Sequence, residues 1–140
     1  MKHLIRILIA LVVLVLAIQF IQPDRTNPEV TADFDGPEPV KAILQAKCYD
    51  CHSNETVWPW YSYVAPVSWR VADHVIEGRE ELNFSEWADL SITKKQEKAE
   101  EIYDEIADGY MPLKSYLLAH PDTRVTEEEL AVIEYWAFDE

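Results

Sequence analysis

Between Leu4 and Ile21 only Arg6 and Gln19 interrupt an apolar run, and no charge follows Arg6 until Asp24. A block of that kind has no polar face to offer water, so it stands apart from any core the rest of the chain builds. As a helix, about 18 residues reach roughly 27 Å, the thickness of a thin membrane core. With Lys2 and Arg6 on the inner side, residues 1–22 read as an uncleaved signal anchor, a single transmembrane helix. The alternative is a cleaved signal peptide, for which Val15 and Ala17 offer a weak small-residue site. Either way, residues beyond about 22 lie outside the cytoplasm.

Charge narrows the function. Of twelve basic residues two, Lys2 and Arg6, belong to that block, so ten face 26 acidic ones in the remainder. Such a surface repels phosphates, which excludes nucleic acid as a partner and disfavours docking of the folded part on anionic lipid. Only three glycines, Gly36, Gly78 and Gly109, are present. That is too few for a turn-rich β fold or a phosphate-binding loop.

Residues 23–39 carry Pro23, Pro28, Pro37 and Pro39 among Asp and Asn, and read as an extended linker. Residues 40–140 remain for one small domain, marginal without a staple or cofactor. Four helices are predicted there. The first runs from about Val40 to Lys47, with Ile43 and Leu44 inward. The second opens at Pro66, shows Val67, Val71, His74 and Val75 on one face, and stops near Gly78. The third begins near Thr93, buries Ala99, Ile102, Tyr103 and Ile106, and ends at Gly109. The fourth starts with the capping pair Thr126 and Glu129 and buries Leu130, Ile133, Trp136 and Ala137. No alternating strand appears, so the fold class is all-α.

The chemistry concentrates in Cys48-Tyr49-Asp50-Cys51-His52. C-x-x-C-H is the attachment signature of a c-type haem. Its two thiols can form thioethers to adjacent vinyl groups, and the next histidine is carried beneath the iron as proximal ligand. One covalent haem c would also supply the staple that so small a domain lacks. The chain has no other cysteine. Two rival readings use the same residues: a zinc site completed by His74 or His120, and a thiol-redox pair.

For the sixth iron position the candidate is Met111, the one methionine besides Met1, in Gly109-Tyr110-Met111-Pro112. A thioether opposite histidine favours reduced iron and suits electron transfer. His74 is the alternative ligand, or an acid–base group if the distal position is open as in a peroxidase or gas binder. The aromatic stretch Trp58-Pro59-Trp60-Tyr61 could wall the macrocycle, with Arg70 or Arg79 meeting its propionates. Trp69, Trp87 and Trp136 read as core.

The helix before the cysteines, the late Met-Pro pair and the capped last helix together resemble a small cytochrome c domain. Three stretches are similar to a narrower group, the membrane-anchored bacterial haem-binding domain proteins. They are Ile18–Ile21 with Asp24–Pro28, Cys48–Thr56, and Trp58–Pro66. The resemblance implies covalent haem at Cys48 and Cys51 with His52 as iron ligand, in a redox setting. On that reading the chain is a monohaem electron carrier rather than an enzyme. It is held at the bacterial inner membrane with its domain in the periplasm, and meets a redox partner through a basic docking patch.

Overall fold

The structure, a computed structural model, describes residues 1–139. It is helical, with no strand among the described residues. In chain order the helices are α1 (Lys2–Ile18), α2 (Glu38–Lys47), α3 (Tyr49–His52), α4 (Val67–Glu81), α5 (Ile92–Ala107), α6 (Lys114–Ala119) and α7 (Glu127–Phe138). Short 3-10 turns at Trp60–Tyr63, Phe84–Asp89 and Pro121–Thr123 join them.

The sequence predicts a spanning helix over residues 1–22, and here the structure differs. α1 ends at Ile18, because the amides of Gln19, Phe20 and Ile21 each turn onto a carbonyl three residues back. Its 17 residues rise about 25 Å, short of a hydrocarbon core of roughly 30 Å. Among the described residues no helix is long and apolar enough to cross a membrane. None of α1 is buried, and its large side chains from Leu4 to Leu16 are all more than half exposed.

Residues 22–37 contain no helix, as an extended segment should, yet they do not hang free. They form a strap. Phe34 inserts into the core at 2% exposure, between the rings of Phe84, Trp87 and Trp136. The amides of Thr31 and Ala32 bond the Ser85 carbonyl, and Asp33 receives both Lys41 and the Tyr49 hydroxyl. Arg79, a candidate for haem propionates, has four of its five guanidinium N–H groups engaged elsewhere. It donates to Ser53 O, Thr26 O, Asn27 Oδ1 and Thr56 Oγ1 at 2.7–3.0 Å. That one side chain ties the strap to the turn after the cysteine motif. Arg79→Met removes the donors and strands the carbonyl of buried Ser53, so a loss of about 2 kcal/mol is expected in denaturant titration.

The core gathers Val40, Leu44, Tyr49, Phe84, Trp87, Ile102 and Ile133 around Phe34. Trp136 packs against it, as predicted, but Trp69 does not. Its indole instead donates to the Ile21 carbonyl at 2.7 Å. The predicted capping pair holds α7: Thr126 Oγ1 accepts from Glu129 N, and Glu129 Oε2 accepts from Thr126 N. α5 and α7 pack lengthwise, burying Ala99, Ile102, Ile133 and Ala137. Along α4 the predicted apolar face has a further use. Val67, Val71, His74, Val75 and Gly78 line a cavity, although Val75 and Gly78 are also buried by packed neighbours.

Candidate functional site

The cysteine motif sits where two helices break. α2 stops at Lys47, Cys48 takes a bent conformation, and the single turn of α3 carries Cys51 and His52. Amides of Cys51 and His52 both bond the Cys48 carbonyl, which closes the turn and puts the two cysteines on one side. Ser53 locks its end by donating to the Tyr49 carbonyl at 2.7 Å.

α4 approaches this turn at Gly78. The sequence reads Gly78 as a helix stop, but α4 continues to Glu81 and Gly78 is buried within it. A Cβ there would stand 2.7 Å from the Cys51 carbonyl oxygen and 3.2 Å from its carbon. The glycine is needed for close approach, not for termination. That approach sets the histidine. His52 Nδ1 lies 2.9 Å from the Gly78 carbonyl and 3.2 Å from that of Leu82. Carbonyls only accept, so Nδ1 carries the proton and Nε2 keeps a free lone pair, the form a metal ligand requires.

A cavity of about 1460 Å³ opens beside the motif. Cys48, Cys51, His52, Tyr61, Arg70, His74 and Met111 all line it, although they come from distant parts of the chain. Trp58 and Trp60 do not. Trp58 donates its indole N–H to Asn27, and Trp60 is 77% exposed on the outer surface. The aromatic wall predicted from that stretch therefore reduces to Pro59 and Tyr61. Met111 is placed by the end of α5. Gly109 takes φ +75°, and the amides of both Tyr110 and Met111 then bond the Glu105 carbonyl.

Sequence reasoning missed one side of the site. Tyr116, on the unpredicted α6, lines the cavity and donates its hydroxyl to Asp50 Oδ2 at 2.6 Å. The same ring stacks on His120, whose Nε2 lies 2.7 Å from the Tyr61 hydroxyl. These contacts join α6 to a residue inside the cysteine motif. Nothing in the spacing of Asp50, Tyr61, Tyr116 and His120 signals that they meet.

A family profile described as the haem-binding domain matches residues 13–139. The chain belongs to the haem-binding domain family. The match takes in the strap as well as the helices, in keeping with a strap that is packed into the fold. No curated protein and no solved structure matches the chain.

For a haem-binding domain the donor set fits its cofactor. The cavity is mostly apolar, two thiols share one edge, and an imidazole nitrogen is kept free. The rival readings of the motif find less support. Among the described residues, no three His, Cys, Asp or Glu converge as a set that could hold a single metal ion. A reactive thiol pair needs a lowered pKa, whereas burial pushes Cys48 up to about 12 and Cys51 up to about 11.

Burial also holds His52 below the ordinary imidazole value, against the opposing pull of the Leu82 and Gly78 carbonyls. His74 is lowered too, by burial and then by Arg70. Both bind a proton less readily folded than unfolded, so their contribution is complete above about pH 6.5 and is lost as pH falls through the lower folded values. The cofactor-free chain should therefore melt at lower temperature at pH 5.5 than at pH 7.5, and His52→Gln should flatten part of that slope.

Proposed function

We propose that the protein is a monohaem c-type cytochrome that passes single electrons. The carrying observation is one cavity lined by Cys48, Cys51, His52 and Met111, with the His52 Nδ1 proton committed to backbone carbonyls. Cys48 and Cys51 would hold the haem covalently. His52 would be the proximal iron ligand through Nε2, and Met111 the distal one. When bound, the haem supplies an iron that cycles between ferrous and ferric states.

The chain's own residues set the conditions for that cycle. His52 keeps one orientation and one tautomer, because α4 and the residue that follows it, Leu82, each supply an acceptor to the same ring nitrogen. With its Nδ1 edge toward α4, the ring presents Nε2 away from that helix. A distal ligand then has to come from elsewhere, which favours Met111 on the α5–α6 connection over His74, itself on α4. Val71, Val75, Leu82 and Ile106 keep the lining apolar, and Arg70 is the remaining candidate for a propionate.

The apolar α1, with none of its residues buried, supports a place at a membrane outside the cytoplasm, with the helix associated with lipid. The acidic remainder of the chain supports a redox partner that presents a basic patch, with association weakened by salt.

The test is a pyridine haemochrome spectrum of the chain, expressed with cytochrome-maturation machinery and then denatured and stripped of loosely held haem. A c-type spectrum at one haem per chain is expected. Haem that washes away would leave a haem-binding protein without covalent attachment and would end the cytochrome c reading.

A further inference from the structure

The face that meets the end of α1 differs from the acidic remainder of the chain. From Thr56 to Ala72 the sequence holds no Asp or Glu and a single charge, Arg70, in a chain of formal charge −14. Its outward side chains away from the cavity are apolar or aromatic: Trp60 77% exposed, Tyr63 53% and Val64 44%.

This face is also latched to α1. The Gln19 side-chain amide donates to the Ala65 carbonyl at 3.0 Å, and its oxygen accepts from the Ala65 amide at 2.9 Å. Trp69 donates to the Ile21 carbonyl, and Arg25 donates to the Ser62 carbonyl while lying 4.3 Å from the centre of the Tyr63 ring. Phe20 and Ile21, 90% and 63% exposed, lie at this junction between α1 and the domain.

From this we infer that the face of Trp60, Tyr63 and Val64 is a membrane-docking surface that rests on the headgroup region of an electrically neutral bilayer beside α1. The inference builds on the reading of α1 as lipid-associated, and adds that the domain lies against the membrane instead of standing off on a linker. Tryptophan and tyrosine suit that depth, because an apolar ring and a polar N–H or O–H each find their own environment there. A carboxylate-rich surface would be repelled by anionic headgroups, and this stretch carries no carboxylate. The double Gln19–Ala65 bond fixes the height of the patch relative to the helix end. Val57 and Val67, on either side of that face in sequence, line the cavity, so one of its rims would face lipid and soluble partners would approach from elsewhere.

The test uses the full haem-loaded chain in phosphatidylcholine nanodiscs, with hydroxyl-radical footprinting read by mass spectrometry. Tyr135 and Phe138, 62% and 51% exposed on α7 and outside the cavity lining, serve as internal references. Trp60 and Tyr63 are expected to oxidise several-fold more slowly than these references. In free protein Trp60, the most exposed of the four, would lead. If the chain stays with the discs while Trp60 oxidises at the reference rate, the docking face is wrong and the lipid-associated helix stands. If the chain does not co-purify with the discs, both fail. Protection without lipid that grows with protein concentration would assign the face to self-association and overturn the inference.

Discussion

Gly78→Ala is expected to cost roughly 2–3 kcal/mol of stability, or about 10–15 °C in melting temperature, and to impair haem attachment with it. The added methyl meets the Cys51 backbone at 2.7 Å, not a side chain that could swing aside. Either α3 or α4 has to move. Any outward shift of α4 carries the Gly78 carbonyl away from His52 Nδ1, so the packing and the ligand geometry fail together. Elsewhere in a helix the same substitution would be neutral or favourable by up to about 1 kcal/mol. The sign of the effect therefore tests the close approach itself. Covalent haem per chain and the thermal melt should fall in the same variant. A Gly78→Ala protein that melts like wild type with full haem would show that the two helices are not in contact there.

Met111→Ala should leave the thioether bonds intact and open the iron to outside ligands. Loss of the thioether sulfur is expected to lower the reduction potential by something on the order of 0.2 V, within the span of about 0.8 V that axial ligands command. Carbon monoxide should bind the reduced variant and not the reduced wild type. If wild type already binds carbon monoxide, Met111 is not a ligand and the open-site readings, with His74 as acid–base group, become the better ones. The corresponding His74→Ala variant separates them, since it should leave the potential nearly unchanged when Met111 ligates.

The elements legible in the sequence are those whose signal is local. Thr126 and Glu129 announce the start of α7 because both partners of the cap lie within one turn. Pro66 precedes α4 and Gly109 follows α5 for similar reasons, a fixed φ in one case and a left-handed one in the other. The cysteine motif is local as well, and four of its predicted companions, Tyr61, Arg70, His74 and Met111, do reach the same cavity.

What escaped the sequence was set by partners far along the chain. Gly78 looks like a terminator until Cys51 is seen against it. Arg79 looks like a free cation until the strap supplies its acceptors. Four prolines made residues 23–39 look unfolded, although Phe34 fills the core between Phe84, Trp87 and Trp136. Trp58 and Trp60 were placed at the site by nearness in sequence, and the 3-10 turn that starts at Trp60 sends one ring outward and Tyr61 inward.

The foundations of the two ends of the cavity are far apart in the chain, and that has a temporal consequence. Cys48, Cys51 and His52 rest on α2 and α4, the Met111 turn hangs from the end of α5, and α7 packs on both α2 and α5. In a chain delivered amino end first, the thiol edge emerges while α7 is still absent. The two edges of the pocket are thus brought into register only when α7 packs on α2 and α5 together.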